Sequence, residues 1–279
     1  SIIPISSTRK EILRDRIRRI NLKRLLNYLL VHLPYGFLGI RTADVLLAPG
    51  DRYITTGYPI NGRSRVLWIH SPDYDEYLSD RDQAPATGDE YCVFLDEYLP
   101  FHQDNEHYGV GHRLTPAAYY PMLCDFFDFV ERKFHHPVVI AAHPKSAYEN
   151  HPDYFRGRRC IRGETRRLIK NATFILMHQS TAINYAVLYN KPIVFITSKT
   201  INENLIEDPS PDWLAKYFGT APVYIDEHYD LDWSPCLKTN ESAYRRYRND
   251  FIKREDTFER PRWQIVADCI KAWGHPIDR

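Results

Sequence analysis

What the sequence lacks already excludes several classes of protein. It contains no apolar run near the roughly 20 residues that a membrane-spanning helix needs, no secretory signal segment and no internal repeat. Neither sign of charge dominates, because 37 basic residues face 36 acidic ones, so no overall field directs the chain to nucleic acid. These absences predict a cytoplasmic globular protein that does not bind nucleic acid.

Paired cysteines are absent as well. The cysteines are odd in number, widely spaced and never arranged as C-x-x-C; they are Cys92, Cys124, Cys160, Cys236 and Cys269. This pattern predicts reduced thiols rather than disulfides or metal ligands. The first residue is Ser1 rather than methionine, which suggests processing or excision from a longer protein.

Alternating strand and helix patterns fill most of the chain and predict an α/β fold. Strands are predicted near 44–49, 65–70, 90–95, 138–142, 174–177, 193–197 and 222–225, and helices near 8–32, 115–134, 164–172, 182–189, 240–255 and 261–273. Pro121 predicts a kink or a late start in its helix. The polar stretch 79–90 predicts a domain boundary, which gives domains 1–85 and 86–279.

The segment from Phe174 to Ser198 carries the strongest functional signal. It has the pattern of a buried strand, a polar turn, a short helix and a second buried strand. The turn ends in Ser180 and Thr181, which are favourable helix N-caps. Backbone N–H groups at a helix start attract anions, and ligands of open α/β sheets bind at this edge. We therefore expect a phosphorylated ligand over this Ser-Thr pair.

A second polar turn follows the strand predicted at 138–142. The histidines that open the two turns are 35 residues apart, which is about the length of one βαβ unit. Both turns are therefore expected at one edge of a parallel sheet. Together they predict a site for a nucleotide phosphate, formed by His143, Lys145, Ser146, His178, Ser180 and Thr181. His178 either contacts the ligand or only holds its turn.

The His-Pro motif after one strand and the Ser-Thr pair after the next resemble the C-terminal half of GT-B glycosyltransferases. The sequence is most similar there to bacterial sialyltransferases, polysialyltransferases and related surface-polysaccharide transferases, over roughly residues 90 to 225. The resemblance implies that His143, Ser180 and Thr181 hold the phosphate of a CMP-sugar donor. It also implies a general base in an acidic pair, here Asp96-Glu97, although Tyr98 stands where that family has glycine.

The same resemblance implies a fold and a reaction. The fold has two Rossmann-like domains with parallel sheets, of which the N-terminal, acceptor-side one is small or incomplete here. The reaction moves a sugar from a CMP-activated acidic sugar or a UDP-sugar to a glycan or lipid-linked glycan of the cell surface, without metal or cofactor. A nucleotide-sugar epimerase, a polyol-phosphate transferase and a non-catalytic nucleotide-binding subunit stay open, because each would use the same phosphate site.

Other residues compete for the chemical roles. Asp73 and Asp75 follow the strand predicted at 65–70 and are alternatives to Asp96 as general base. A group of potential metal ligands has a spacing of five, which matches neither a helix face nor a zinc motif, so we expect no metal there. That group comprises His102, Asp104, His107 and His112.

Two basic stretches allow two interpretations each. The arginines of 156–167 form either a solvated face or a contact with a donor or polyanion; they are Arg156, Arg158, Arg159, Arg162, Arg166 and Arg167. Residues 9–30 have the composition of a helix that lies on a membrane surface, or of a domain helix packed on the sheet. The first interpretation places the enzyme at the inner face of the plasma membrane.

Overall fold

The fold is taken from a computed structural model of the chain. It describes residues 39, 41–55, 57, 59–84, 88, 90–101, 114–204, 210–227 and 229–273. The helix predicted at 8–32, with its possible membrane contact at 9–30, lies outside these residues. The histidine group at 102–112 lies outside them too.

The chain packs as two compact units. The first comprises residues 1–46 and 55–65, and the second comprises residues 47–54 and 66–279. In the first, the N–H of Ala43 donates to the carbonyl of Pro59 at 2.8 Å. Strands β1 (Val45–Ala48) and β2 (Arg65–Trp68) pair in a two-stranded sheet, and the division passes through both of them. The domain boundary expected at 85/86 stays a prediction.

The second unit holds a parallel sheet and eight helices within the described residues. Its strands are β3 (Cys92–Leu95), β4 (Val138–Ala142), β5 (Cys160–Arg162), β6 (Ile175–Met177), β7 (Ile193–Thr197) and β8 (Val223–Tyr224). Its helices are α1 (Pro72–Asp80), α2 (Pro116–Phe134), α3 (Thr165–Asn171), α4 (Ile183–Leu188), α5 (Lys199–Asn204), α6 (Pro211–Phe218), α7 (Glu241–Tyr247) and α8 (Arg262–Ala272). A π-helical turn, Arg248–Ile252, extends α7. The predicted α/β fold is thus confirmed.

The six strands are all parallel and lie in the order β5-β4-β3-β6-β7-β8. Numbered from β3 as the first strand, this is the 3-2-1-4-5-6 order of doubly wound, Rossmann-like sheets. The chain reverses direction across the sheet between β3 and β6. Leu95 at the end of β3 is the register partner of Ala141 on one side and Met177 on the other.

Helices cover both faces of this sheet because alternate residues of each strand point to opposite sides. Val93 and Leu95 face a core layer formed by α1, α3, α4, α6 and α7. Cys92 and Phe94 face the layer formed by α2, α5 and the aromatic segment around Trp233. Each buried large side chain contributes about 1.5–3 kcal/mol of burial free energy, so the two layers hold the edge of the sheet in place.

The long helix α2 corrects one expectation. Thr115 caps it by accepting the N–H of Ala118, Pro116 occupies its first position, and it ends where His135 adopts a left-handed conformation. The late start expected from Pro121 is therefore wrong, because the Thr115 cap and Pro116 at the first position begin the helix ahead of Pro121. No helix in the described part of the chain is long and apolar enough to cross a membrane.

Candidate functional site

The candidate site lies at the carboxyl edge of the sheet, between the neighbouring strands β3 and β6, where the strand order reverses. In sheets of this strand order, ligands bind in the crevice at that point. Three turns follow the neighbouring strands: Asp96–Tyr98 after β3, His143–Ser146 after β4 and His178–Thr181 after β6. The topology thus brings both predicted polar turns and the acidic pair to one edge.

Asp96 ties the β3 turn to the β4 turn. Its Oδ2 accepts the backbone N–H of His143 at 3.0 Å and the hydroxyl of Tyr148 at 2.8 Å. Its Oδ1 accepts the N–H of Tyr98 at 2.9 Å. These three donors stabilise the carboxylate, yet burial outweighs them and raises its pKa.

Glu97 ties the β3 turn to the other side. Its Oε1 accepts the backbone N–H of Gln179 at 2.6 Å, and burial holds its pKa well above the usual range. Two consecutive carboxylates therefore fix the turns on either side of the switch point. The two residues are only 5% and 8% exposed, so a substrate hydroxyl has little access to either carboxyl group. This geometry favours a positioning role for Asp96 and Glu97 over general base catalysis.

The β4 turn presents its histidine and lysine and buries its serine. The Nδ1 of His143 accepts the N–H of Lys145 at 3.2 Å, so in the neutral ring the proton resides on Nε2. His143 is half-buried and Lys145 is exposed. Ser146 is 3% exposed, and its hydroxyl donates to the carbonyl of His143 at 2.7 Å. Ser146 closes the turn, whereas His143 and Lys145 lie where a ligand can contact them.

His178 holds its own turn. Its Nδ1 lies 2.7 Å from the carbonyl of Ile196, which can only accept, so Nδ1 carries the proton. Its Nε2 then accepts the hydroxyl of Tyr119 at 2.9 Å. The ring is completely buried, and burial lowers its pKa to about 4. Both nitrogens are occupied by the protein, so we assign His178 to the fold and not to the ligand.

Ser180 and Thr181 lie at the surface of the edge, half-buried and exposed respectively. They do not cap α4 as expected, because its N-cap is Ala182, which has no side-chain cap. The hydroxyl of Ser180 accepts the N–H of Ala182 at 3.3 Å, and the N–H groups of residues 183–185 donate to carbonyls three residues back. With these amides occupied and the helix only six residues long, an anion here would rely on the side chains.

Asp73 and Asp75 take separate positions on α1. Asp73 is half-buried, and its Oδ2 accepts Nδ2 of Asn184 at 2.6 Å. Asn184 lies three residues beyond Thr181, which places the Asp73 carboxylate beside the β6 turn. Asp75 instead accepts the N–H of Arg262 at 2.9 Å and supports the start of α8. Of the two alternatives, only Asp73 lies beside a candidate turn.

The arginines of 156–167 mostly form ion pairs with acidic residues of the protein itself. The pairs are Arg156–Asp125, Arg158–Glu131, Arg162–Glu149, Arg166–Asp80 and Arg167–Glu164. Arg159 and Arg167 line a cavity of about 540 Å³ at the opposite, amino edge of the sheet. That cavity is remote from the three turns. Its third cation, Lys191, donates to the carbonyl of Ala172 at the end of α3.

Sequence reasoning missed the aromatic residues that complete the site. Tyr119 on α2 and Tyr148 after β4 hold His178 and Asp96, and burial keeps the pKa of both hydroxyls well above their usual range. Nothing in their spacing marks them. Tyr98 was noticed only as a departure from a resembled motif, yet its ring lies parallel to that of His143, with centroids 6.3 Å apart. In the described ranges, no group of three or more residues is placed to hold a metal ion.

Comparison with known proteins adds no further assignment. No protein-family model matches the chain, and no curated protein matches it significantly.

Proposed function

We propose that the protein is a glycosyltransferase of GT-B type that moves a sugar from a nucleotide-sugar donor to a cell-surface glycan. One observation carries the proposal: two polar turns meet across the switch point of a six-stranded parallel sheet, joined by Asp96 and Glu97. Sheets of this order bind nucleotides at that point. The resemblance of the His-Pro and Ser-Thr motifs to such transferases supports the choice of reaction.

In the proposed reaction, His143, Lys145, Ser180 and Thr181 contact the phosphate of the donor. The acceptor hydroxyl loses its proton to a carboxylate as its oxygen bonds to the sugar carbon. The bond from that carbon to the phosphate oxygen breaks, and the leaving nucleotide keeps the electron pair. Fixed donors and a cation beside the phosphate stabilise this charge, so the scheme requires no metal.

Asp73 is the best-placed base, since Asp96 is buried beneath three donors whereas Asp73 is half-buried beside the β6 turn. A CMP-activated acidic sugar is the first donor to test and a UDP-sugar the second. We further propose that a lipid-linked acceptor holds the enzyme at the inner face of the membrane, with residues 9–30 in contact with it.

A nucleotide panel tests the proposal. Thermal unfolding is followed with CMP, UDP, GDP and CDP, because a ligand that binds the folded state raises the apparent stability. We expect one pyrimidine nucleotide to raise the melting temperature, and its sugar conjugate to be consumed only when a glycan acceptor is present. Consumption without an acceptor indicates an epimerase or a hydrolase. Binding without turnover indicates a non-catalytic subunit, and no binding by any nucleotide contradicts the proposal.

The assignment of the base has its own test. Asp73→Asn is expected to lower the transfer rate about 10²–10⁴-fold with little change in nucleotide affinity, since a general base acts in the transition state. Asp96→Asn is the matched control, and it should mainly lower the free energy of unfolding because it disturbs three hydrogen bonds. Normal transfer by Asp73→Asn would show that the base lies elsewhere.

A further inference from the structure

Tyr98 adopts a backbone conformation that a bulky side chain rarely takes. Its φ is +55°, in the left-handed region that glycine occupies without steric cost. Two backbone contacts fix it there: its N–H donates to Asp96 Oδ1 at 2.9 Å, and its carbonyl accepts the N–H of Phe101 at 2.9 Å. Strained residues of this kind concentrate at ligand-binding positions, so the position of the Tyr98 side chain is informative.

The strained backbone places the Tyr98 ring at the edge of the candidate site. The ring is half-buried and lies nearly parallel to that of His143, with an angle of 11° between their planes. Phe101 and Tyr148 support it from other directions, with ring centroids 4.7 Å and 5.4 Å away. The ring is thus held rigidly beside the histidine that we assign to the phosphate.

We infer that Tyr98 forms a stacking surface for a ring carried by the phosphate-bearing ligand. The inference rests on the proposed function, because it takes His143 as the phosphate contact. An aromatic ring can stack on the flat face of a nucleobase or contact the C–H groups on one face of a sugar ring. The Tyr98 and His143 ring centroids are 6.3 Å apart, so a ring attached to a phosphate on His143 can lie beside Tyr98. Aromatic side chains stack on bases with little preference for one base.

The test compares three probes on variants of the full chain. The probes are inorganic phosphate, ribose 5-phosphate and CMP, with affinities measured by calorimetry. Tyr98→Gly and Tyr98→Leu both remove the aromatic face, and Tyr98→Phe retains it. We expect the first two to weaken CMP binding about 5- to 160-fold, with phosphate binding unchanged and Tyr98→Phe near wild type.

A matched control separates the ring from the backbone. His135 has the same left-handed conformation, with φ of +57°, but it is exposed and precedes β4 at the opposite edge of the sheet. His135→Gly relieves a strained φ and should raise the melting temperature by about 2–4 °C, whereas Tyr98→Gly also removes a ring packed on Phe101 and Tyr148 and should lower it. Only Tyr98→Gly should lower the affinity for CMP.

Each outcome decides the inference. Loss of CMP affinity alone identifies the base as the stacked ring, and a matching loss for ribose 5-phosphate identifies the sugar. If the binding of inorganic phosphate is weakened equally, the Tyr98 side chain affects the shape of the turn, and the stacking surface is refuted. It is also refuted if Tyr98→Gly binds CMP normally while His143→Ala does not, which leaves the proposed function intact. Absence of binding of all three probes by the wild-type protein overturns the inference, and the proposed function falls with it only if UDP, GDP and CDP also fail to bind.

Discussion

The turns after β4 and β6 both begin with histidine, and the two histidines have opposite surroundings. His143 is half-buried, and its Nδ1 accepts the N–H of Lys145 within its own turn. His178 is fully buried, with one nitrogen bound to the carbonyl of Ile196 and the other to the hydroxyl of Tyr119. Residue type and topological position are therefore not enough to identify a ligand contact.

The strand register explains the difference. His178 lies one residue beyond the register partner of Leu95 on β6, whereas His143 lies two residues beyond the partner on β4. His178 therefore continues the alternation of its strand and points, like Leu176, to the face covered by α2. There it contacts the rings of Phe94 and Tyr119. One residue of register separates a core histidine from a surface one.

Removing the buried histidine should cause the largest change in stability. His178→Ala should lower the free energy of unfolding by about 4 kcal/mol, because it leaves a cavity and two buried polar groups without partners. Urea denaturation measures this loss. His178→Asn is the control, since its amide can still donate to the carbonyl of Ile196, and it should recover part of the stability. A loss below about 1 kcal/mol in His178→Ala would contradict a structural role.

The buried position of His178 should also make the free energy of unfolding depend on pH. Burial lowers the pKa of His178 from 6.5 to about 4. Between these pH values the histidine is therefore protonated in the unfolded chain and neutral in the folded protein. The stabilisation is complete above pH 6.5 and is lost as the pH falls towards 4, by about 3 kcal/mol in total. The pKa values of Asp96 and Glu97 are raised in the folded protein, so these two groups increase the free energy of unfolding as the pH falls.

The contribution of His178 is separated from that of the two acids by comparing wild type with a variant that lacks the histidine. The free energy of unfolding is determined for wild type and His178→Asn at several values between pH 7 and pH 4, and the two are subtracted. The acids are present in both proteins and cancel, so the stability advantage of the wild type should shrink as the pH falls. A difference independent of pH would show that His178 titrates alike in the folded and unfolded chains.

Much of the fold followed from patterns that are local in sequence. The apolar run at 193–197 became β7 without a change of bounds, because a strand buried on both faces has a continuous apolar signature. Strand order across the sheet is a different matter. It depends on which strands pair over long separations, and no local pattern reports that β3 lies between β4 and β6.

The meeting of the two polar turns at one edge was predictable, because the carboxyl ends of parallel strands lie together, and the strand order confirms it. That this edge binds a ligand stays a prediction. The roles of Asp96 and Ser146 depended on hydrogen bonds that close only in the folded protein, to His143 among others. A carboxylate that serves as a base and one that holds a backbone amide look the same in a sequence.

The smallest expected effect on stability tests the other histidine. His143→Ala should lower the free energy of unfolding by much less than His178→Ala, because the residue is half-buried and its Nδ1 hydrogen bond lies within its own turn. It should nevertheless weaken nucleotide binding by about 1.5–3 kcal/mol, the value of a donor to a charged group. Calorimetric titration with the nucleotide selected by the panel measures this change.

The variants that accompany His143→Ala decide what its result means. Ser180→Ala/Thr181→Ala should weaken binding to a similar degree without unfolding the protein, because both hydroxyls lie at the surface of the same edge. His135→Ala changes an exposed histidine at the opposite edge and should alter neither property. If His143→Ala lost stability and kept its affinity, the two histidines would share one structural role. The difference between the two turns would then lie in burial alone, and the phosphate would have to be sought at another edge.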